Sequence, residues 1–227
     1  MRLLGRGDNP NAVAGLFLLI LLLVLAGPSA FPRFVENIEF ADEGVPCRWL
    51  RQGEDRATNQ SLIARAISQS PESPISLRVE TSAISSDQAA DFVITITVVN
   101  NTVGIVPFII PEGDTVVVGT TTGENGLGII FNSTQPITGS VQVGSYPEEQ
   151  IHLLGPRQRC LHRVTFTVGQ LILIDQSIGA GGQIRAFYRN SSVGVIPAGN
   201  PQQVYADQGL WVGIAESEAF QIPFSAQ

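Results

Sequence analysis

DFVITITVVN, residues Asp91–Asn100, alternates along its whole length. Phe92, Ile94, Ile96 and Val98 fall on one face and Val93, Thr95, Thr97 and Val99 on the other, the period-two pattern of a central β-strand. Outward from it, similar short runs predict strands at Ile75–Thr81, Ile105–Ile110, Thr115–Gly119, Gly128–Phe131, Cys160–Val168, Gln183–Arg189 and Leu210–Phe224. Gly and Pro separate almost all of them. Many short strands without alternating long helices place the chain in the mainly β class, as an antiparallel two-sheet sandwich. Asn132–Gln150 and Pro197–Gly209 are expected loops.

Upstream, the pattern changes twice. Residues 55–69 place Leu62, Ile63, Ala66 and Ile67 on one face at helical spacing, with Asp55 or Thr58 as cap, and predict one short amphipathic helix. The breaker-rich run Ser68–Pro74 then leads into the β body. Further upstream, Ala12–Ala26 is an uncharged apolar block behind Arg2 and Arg6. About 15 such residues suit a signal peptide and about 20 span a bilayer, and the uncharged stretch Asn9–Phe31 reaches the second length. Both a cleaved signal peptide and a retained membrane anchor fit. In either case the chain is exported, membrane-anchored with its C-terminal body outside the cytoplasm, or secreted if cleaved. The expected organisation is residues 1–30 as signal peptide or anchor, 31–74 as an extension with the short helix, and 75–227 as the β domain.

Charge narrows the partners. The chain has no Lys, its thirteen basic residues are all Arg, and twenty acidic residues leave a net charge of −7. With the arginines scattered along the sequence, a nucleic-acid partner is disfavoured. Two cysteines, Cys47 and Cys160, fall in a segment that meets an oxidising compartment, so a disulfide is expected between them. Closing so long a loop contributes about 4 kcal/mol on the chain-entropy model. The bridge would pin the segment before the β domain onto a central strand.

The strand ending Val98-Val99-Asn100-Asn101, the Leu153-Leu154-Gly155-Pro156 turn before Val164 and Phe166, the Ile184-Ala186-Tyr188 strand and the closing run from Leu210-Trp211-Val212-Gly213 through Glu216-Ser217 to Phe220 and Ile222 together resemble the Ig-like β-sandwich modules of bacterial exported proteins. The resemblance covers Ile75–Phe224. It implies a fold, and the roles such modules fill: spacing, assembly, adhesion, polysaccharide binding or proteinase inhibition. It carries over no ligand-binding residue, because these modules share strand order and not a site.

Chemistry is read by elimination. Without Lys there is no P-loop, no Schiff base and no Ser-Lys dyad. Gly123–Gly128 and Gly179–Gly182 precede no evident helix and read as turns, and no G-x-S-x-G elbow is present. His152, Cys160 and His162 form the sharpest metal candidate, with Cys160 and His162 on one strand face, but a disulfide at Cys160 would remove the thiolate. Pro111-Glu112-Gly113-Asp114 lacks the calcium-loop pattern and reads as a solvated turn. Asn59, Asn100, Asn132 and Asn190 each open an N-x-S/T triplet, and Trp211 with Tyr188 could offer aromatic planes to a sugar or lie in the core. No catalytic, cofactor-binding or metal residue is assigned.

The sequence thus points to a non-enzymatic interaction or structural module, attached to the membrane through its N-terminal segment and meeting protein or polysaccharide in the envelope. The alternative is a proteinase inhibitor acting through an exposed loop such as Asn132–Gln150.

Overall fold

The computed structural model describes residues 44–52, 72–119, 123–139, 144–174, 178, 181–195 and 207–223. The apolar block Ala12–Ala26 and the helix expected over residues 55–69 lie outside them, and among the described residues no helix is long and apolar enough to cross a membrane. The strands in chain order are β1 (Val45–Pro46), β2 (Arg51–Gln52), β3 (Ile75–Thr81), β4 (Asp91–Asn100), β5 (Val106–Ile109), β6 (Val117–Val118), β7 (Gly126–Phe131), β8 (Ile151–Leu154), β9 (Arg159–Thr167), β10 (Gln183–Asn190), β11 (Gly213–Glu216) and β12 (Phe220–Gln221). One short helix, α1 (Val168–Ile174), follows β9.

These strands form three sheets. The first runs β1-β9-β4-β3, the second β11-β10-β7-β6 with β12 also on β10, and the third β2-β8-β5. The fold is therefore mainly β. Two short ladders run parallel, β1 with β9 and β6 with β7, where antiparallel pairing throughout was expected. In each, one partner is a strand of only two residues, short enough to join a sheet edge in either direction.

Alternation in the sequence becomes burial in the structure. Phe92, Ile94, Ile96 and Val98 of β4 are fully buried, while Val93, Thr95, Thr97 and Val99 are only partly covered. Each inward side chain removed from water contributes about 1.5–3 kcal/mol. On the neighbouring strands, Leu77 and Val79 of β3 and Cys160 and Val164 of β9 continue the same face. Leu127, Ile129 and Phe131 of β7 and Ile184, Ala186 and Tyr188 of β10 belong to the same core, as do Val106 and Phe108 of β5 and Ile151 and Leu154 of β8. Trp211 also lies in it, resting on Gly213, where an added Cβ would fall 2.4 Å from the indole.

The expected final strand Leu210–Phe224 is two strands, β11 and β12, separated by Ser217–Ala219. Strand β9 ends at Thr167 because Thr167 and Gln170 form a reciprocal capping box that starts α1. The Gln170 N–H donates to Thr167 Oγ1 at 3.2 Å, and the Thr167 N–H donates to Gln170 Oε1 at 2.8 Å.

Candidate functional site

The disulfide between Cys47 and Cys160 is present, with Cα atoms 4.8 Å apart and 113 residues between them in sequence. Cys160 is on the inward face of β9 opposite Val98, and Cys47 begins a single 3-10 turn, Cys47–Trp49. The bridge and two short ladders, Val45 and Pro46 on β9 and Arg51 and Gln52 on β8, hold this segment at both ends. Cys47 and Leu50 turn into the core. Trp49, between them, turns out and is 71% exposed.

Trp49 borders an open groove of about 290 Å³, lined also by Leu50, Arg51, Ile105, Leu153, Pro156 and Gln158. Its floor is rigid. Asn100, the buried last residue of β4, donates from Nδ2 to the carbonyls of Gly104 (2.7 Å) and Gly155 (2.8 Å), and Leu154 O lies at 3.1 Å. Its Oδ1 accepts the Thr102 N–H at 2.8 Å and the Thr102 hydroxyl at 2.7 Å. One side chain thus ties the loop after β4 to the turn after β8.

At the other end of β8, a second polar cluster faces inward. Asn190 ends β10 as Asn100 ends β4, donating to Ser192 O (2.7 Å) and Trp211 O (2.8 Å) and accepting the Tyr146 hydroxyl proton at 3.0 Å. The Tyr146 oxygen accepts from Asn125 Nδ2. Gln208 grips the Tyr146 backbone on both sides, accepting its N–H and donating to its carbonyl, each at 2.8 Å. Burial raises the pKa of the Tyr146 phenol, so it remains a neutral donor.

The loop Asn132–Gln150 is anchored on both flanks. Ile137 is buried, and its N–H donates to Glu216 Oε1 at 2.8 Å, while Tyr146 anchors the other side. Residues 140–143 lie outside the described residues. Glu216 is held in turn by an ion pair with Arg185 at 2.5 Å.

The remaining sequence candidates are absorbed by the fold. His152 and His162 are buried, at 5% and 2% exposure. His152 packs near the Phe108 ring (6.3 Å between centroids), and His162 Nε2 lies 2.8 Å from Thr115 O. Cys160 is committed to the disulfide, and among the described residues no group of three or more His, Cys, Asp or Glu could hold a metal ion. Trp211 and Tyr188 are stacked on each other at 5.3 Å inside the core, so neither offers a plane to a sugar. Residues 112–114 form a 3-10 turn with Gly113 at φ 74°. The glycine run ending at Gly128 leads into β7, with Gly126 at φ 119° in the left-handed half of the map.

The N-x-S/T triplets at Asn100 and Asn190 are strand-ending Asx turns, because each side-chain oxygen accepts the N–H two residues on. Asn132, exposed at the end of β7 with φ 46°, accepts the Gln183 N–H at 2.8 Å. Asn59 lies outside the described residues.

Sequence reasoning missed Trp49. The available signal was its position two residues after Cys47, where a bridged chain must turn.

No known protein family matches the chain, and no curated protein matches it. A solved structure with partial similarity is BslA, described as a bacterial hydrophobin. It shares 14% identity over 70% of this chain and all of its own, with a TM-score of 0.24.

Proposed function

We propose that the chain is a non-enzymatic, envelope-anchored or secreted interaction or structural module, with an Ig-like sandwich body outside the cytoplasm. The observation that carries this reading is Trp49, a large apolar side chain turned outward from a segment that a disulfide and two ladders hold in place. Aromatic side chains beside apolar grooves are favoured anchors for binding, since they bury much area at little entropic cost. The buried disulfide supports export, as such bonds persist in oxidising compartments. Burial of both histidines supports the non-enzymatic assignment, since they are the chain's usual candidates for general acid-base work at neutral pH.

The test places a photoreactive phenylalanine analogue at Trp49 or at Val195, an exposed residue beside the Tyr146 cluster. In intact envelopes, crosslinks to envelope material are expected from position 49 and not from 195. Crosslinks from 195 alone, or from neither, would overturn the proposal.

The anchored flanks of Asn132–Gln150 favour a second role, proteinase inhibition, because an inhibitory loop must be held by its shoulders. Purified protein would then abolish the activity of a target protease, and unchanged activity across protease classes would remove this role.

A further inference from the structure

The glycine run that leads into β7 contains Asn125-Gly126, the chain's one Asn-Gly pair. Asparagine followed by glycine is chemically labile. With no Cβ in the way, the glycine backbone nitrogen can reach the asparagine side-chain carbonyl carbon. That nitrogen gives up its proton to solvent base and bonds to Cγ, the Cγ–Nδ2 bond breaks, and Nδ2 leaves as ammonia with a proton taken from water. Water then opens the five-membered imide at either carbonyl, giving Asp or isoaspartate. Water is the one co-reactant.

The fold fixes both residues. Gly126 has φ 119°, a conformation that residues with a side chain rarely adopt, and an added Cβ would lie 3.5 Å from the Pro111 ring. The backbone therefore dictates the glycine. Asn125 is held by its side chain, whose Nδ2 donates to the Tyr146 hydroxyl. That hydroxyl donates in turn to Asn190 Oδ1 at 3.0 Å, and Gln208 clamps the Tyr146 backbone on both sides. The labile pair is thus tied to the buried network through one oxygen atom.

The attacking nitrogen is engaged as well. Bonded pairs between antiparallel strands recur at every second residue. Counting from the Asn132 N–H, which donates to Gln183 O at 2.8 Å, the bonded pairs of β7 and β10 fall at Ile130 with Arg185, Gly128 with Phe187 and Gly126 with Arg189. This register turns the Gly126 N–H toward Arg189 O. Arg189 also donates from Nε to Glu124 O at 2.7 Å, which fixes the peptide just ahead of Asn125. With its nitrogen in the ladder and its amide tied to Tyr146, the pair closes the ring only after a local opening.

We infer that Asn125-Gly126 is a self-deamidation site kept latent by the fold, with the Tyr146 hydroxyl and the first pair of the β7–β10 ladder as its latch. The inference does not depend on the envelope-anchored reading. Once formed, neither product rebuilds the original contacts. An ionised carboxylate has no hydrogen to donate to the Tyr146 oxygen, and it enters a cluster where Gln208 Nε2 already donates to Glu148 Oε1 at 3.1 Å. Isoaspartate also lengthens the backbone at the entrance to β7. The change is irreversible, so it marks molecules in which this entrance has opened.

The test incubates the purified full chain in mild detergent at mildly alkaline pH, folded and in denaturing urea, and follows Asn125 by peptide mass mapping and isoaspartate content. The folded chain is expected to convert more than roughly tenfold slower than the unfolded one. Tyr146→Phe keeps the ring and removes the hydroxyl, and should speed conversion of the folded chain roughly tenfold. Ile96→Val, a stability control in β4 of the other sheet, should leave the rate within about twofold of the parent.

Equal rates in the folded and unfolded parent chain, or no conversion in urea, would overturn the inference, and this comparison needs no variant. An unchanged rate in folded Tyr146→Phe would overturn the latch. Equal acceleration by Ile96→Val would also overturn it, in favour of conversion through global unfolding.

Discussion

The two ends of β8 use similar residues in opposite ways. At its start, Tyr146, Asn190, Gln208 and Asn125 turn toward one another and close a buried network. At its end, Asn100 closes a similar network underneath, but Trp49 and Val103 are left facing out. The first end holds the fold together. The second holds the fold together and presents a surface, which requires side chains that contribute little to stability.

That contrast can be broken by substitution, most severely at the inward tryptophan. Trp211→Ala should lower the unfolding free energy by about 3–5 kcal/mol, read as a shift in denaturant midpoint, because it opens a cavity beneath Tyr188. Replacing Cys47 and Cys160 together by Ala should lower it by about 2–5 kcal/mol in the same titration. It should also release Trp49, whose emission anisotropy would fall. An unchanged anisotropy would mean that the ladders alone hold that segment.

Asn190→Ala should cost about 1–3 kcal/mol, since it strips partners from Tyr146 and from the Trp211 and Ser192 carbonyls. Asn100→Ala should cost a similar amount at the other end. If only Asn190→Ala destabilises, the groove floor is held by something other than Asn100.

High pH probes the inward end alone. Burial raises the pKa of the Tyr188 and Tyr146 phenols above the ordinary value near 10, so the folded state holds these protons more tightly than the unfolded state. Their contribution is fully present below about pH 10 and is lost as pH rises past it, most steeply for the fully buried Tyr188 phenol. A midpoint that is flat from pH 7 to 9 and falls above 10 is expected.

How much was legible follows from periodicity. Strands with one covered face, β3 and β4, were read to the residue, because Leu77 and Val79 or Ile94 and Ile96 alternate with polar or less apolar neighbours. Strand β8 was not read, since Ile151, His152, Leu153 and Leu154 are all buried and show no alternation. Strands β1 and β2 have two residues each, too few to show a pattern in their own sequence. The helix α1 was hidden by the β-like run Leu171-Ile172-Leu173-Ile174, although Thr167 and Gln170 carry the capping-box spacing.

The candidate site was legible only as its disulfide. Trp49 passed unnoticed, and the groove beside it could not be seen because its walls, Trp49–Arg51, Ile105 and Leu153–Gln158, come from segments up to about a hundred residues apart. The N-x-S/T triplets at Asn100 and Asn190 suggested surface modification and proved to be buried strand ends.

The most direct measurement is Trp49→Ala in the full chain, followed by denaturant midpoint and by envelope crosslinking from a photoreactive group at Val103. The predicted result is stability within about 0.5 kcal/mol of the parent, with crosslinking reduced severalfold. A large loss of stability, or crosslinking that persists unchanged, would contradict the claim that Trp49 is held outward for contact with the envelope.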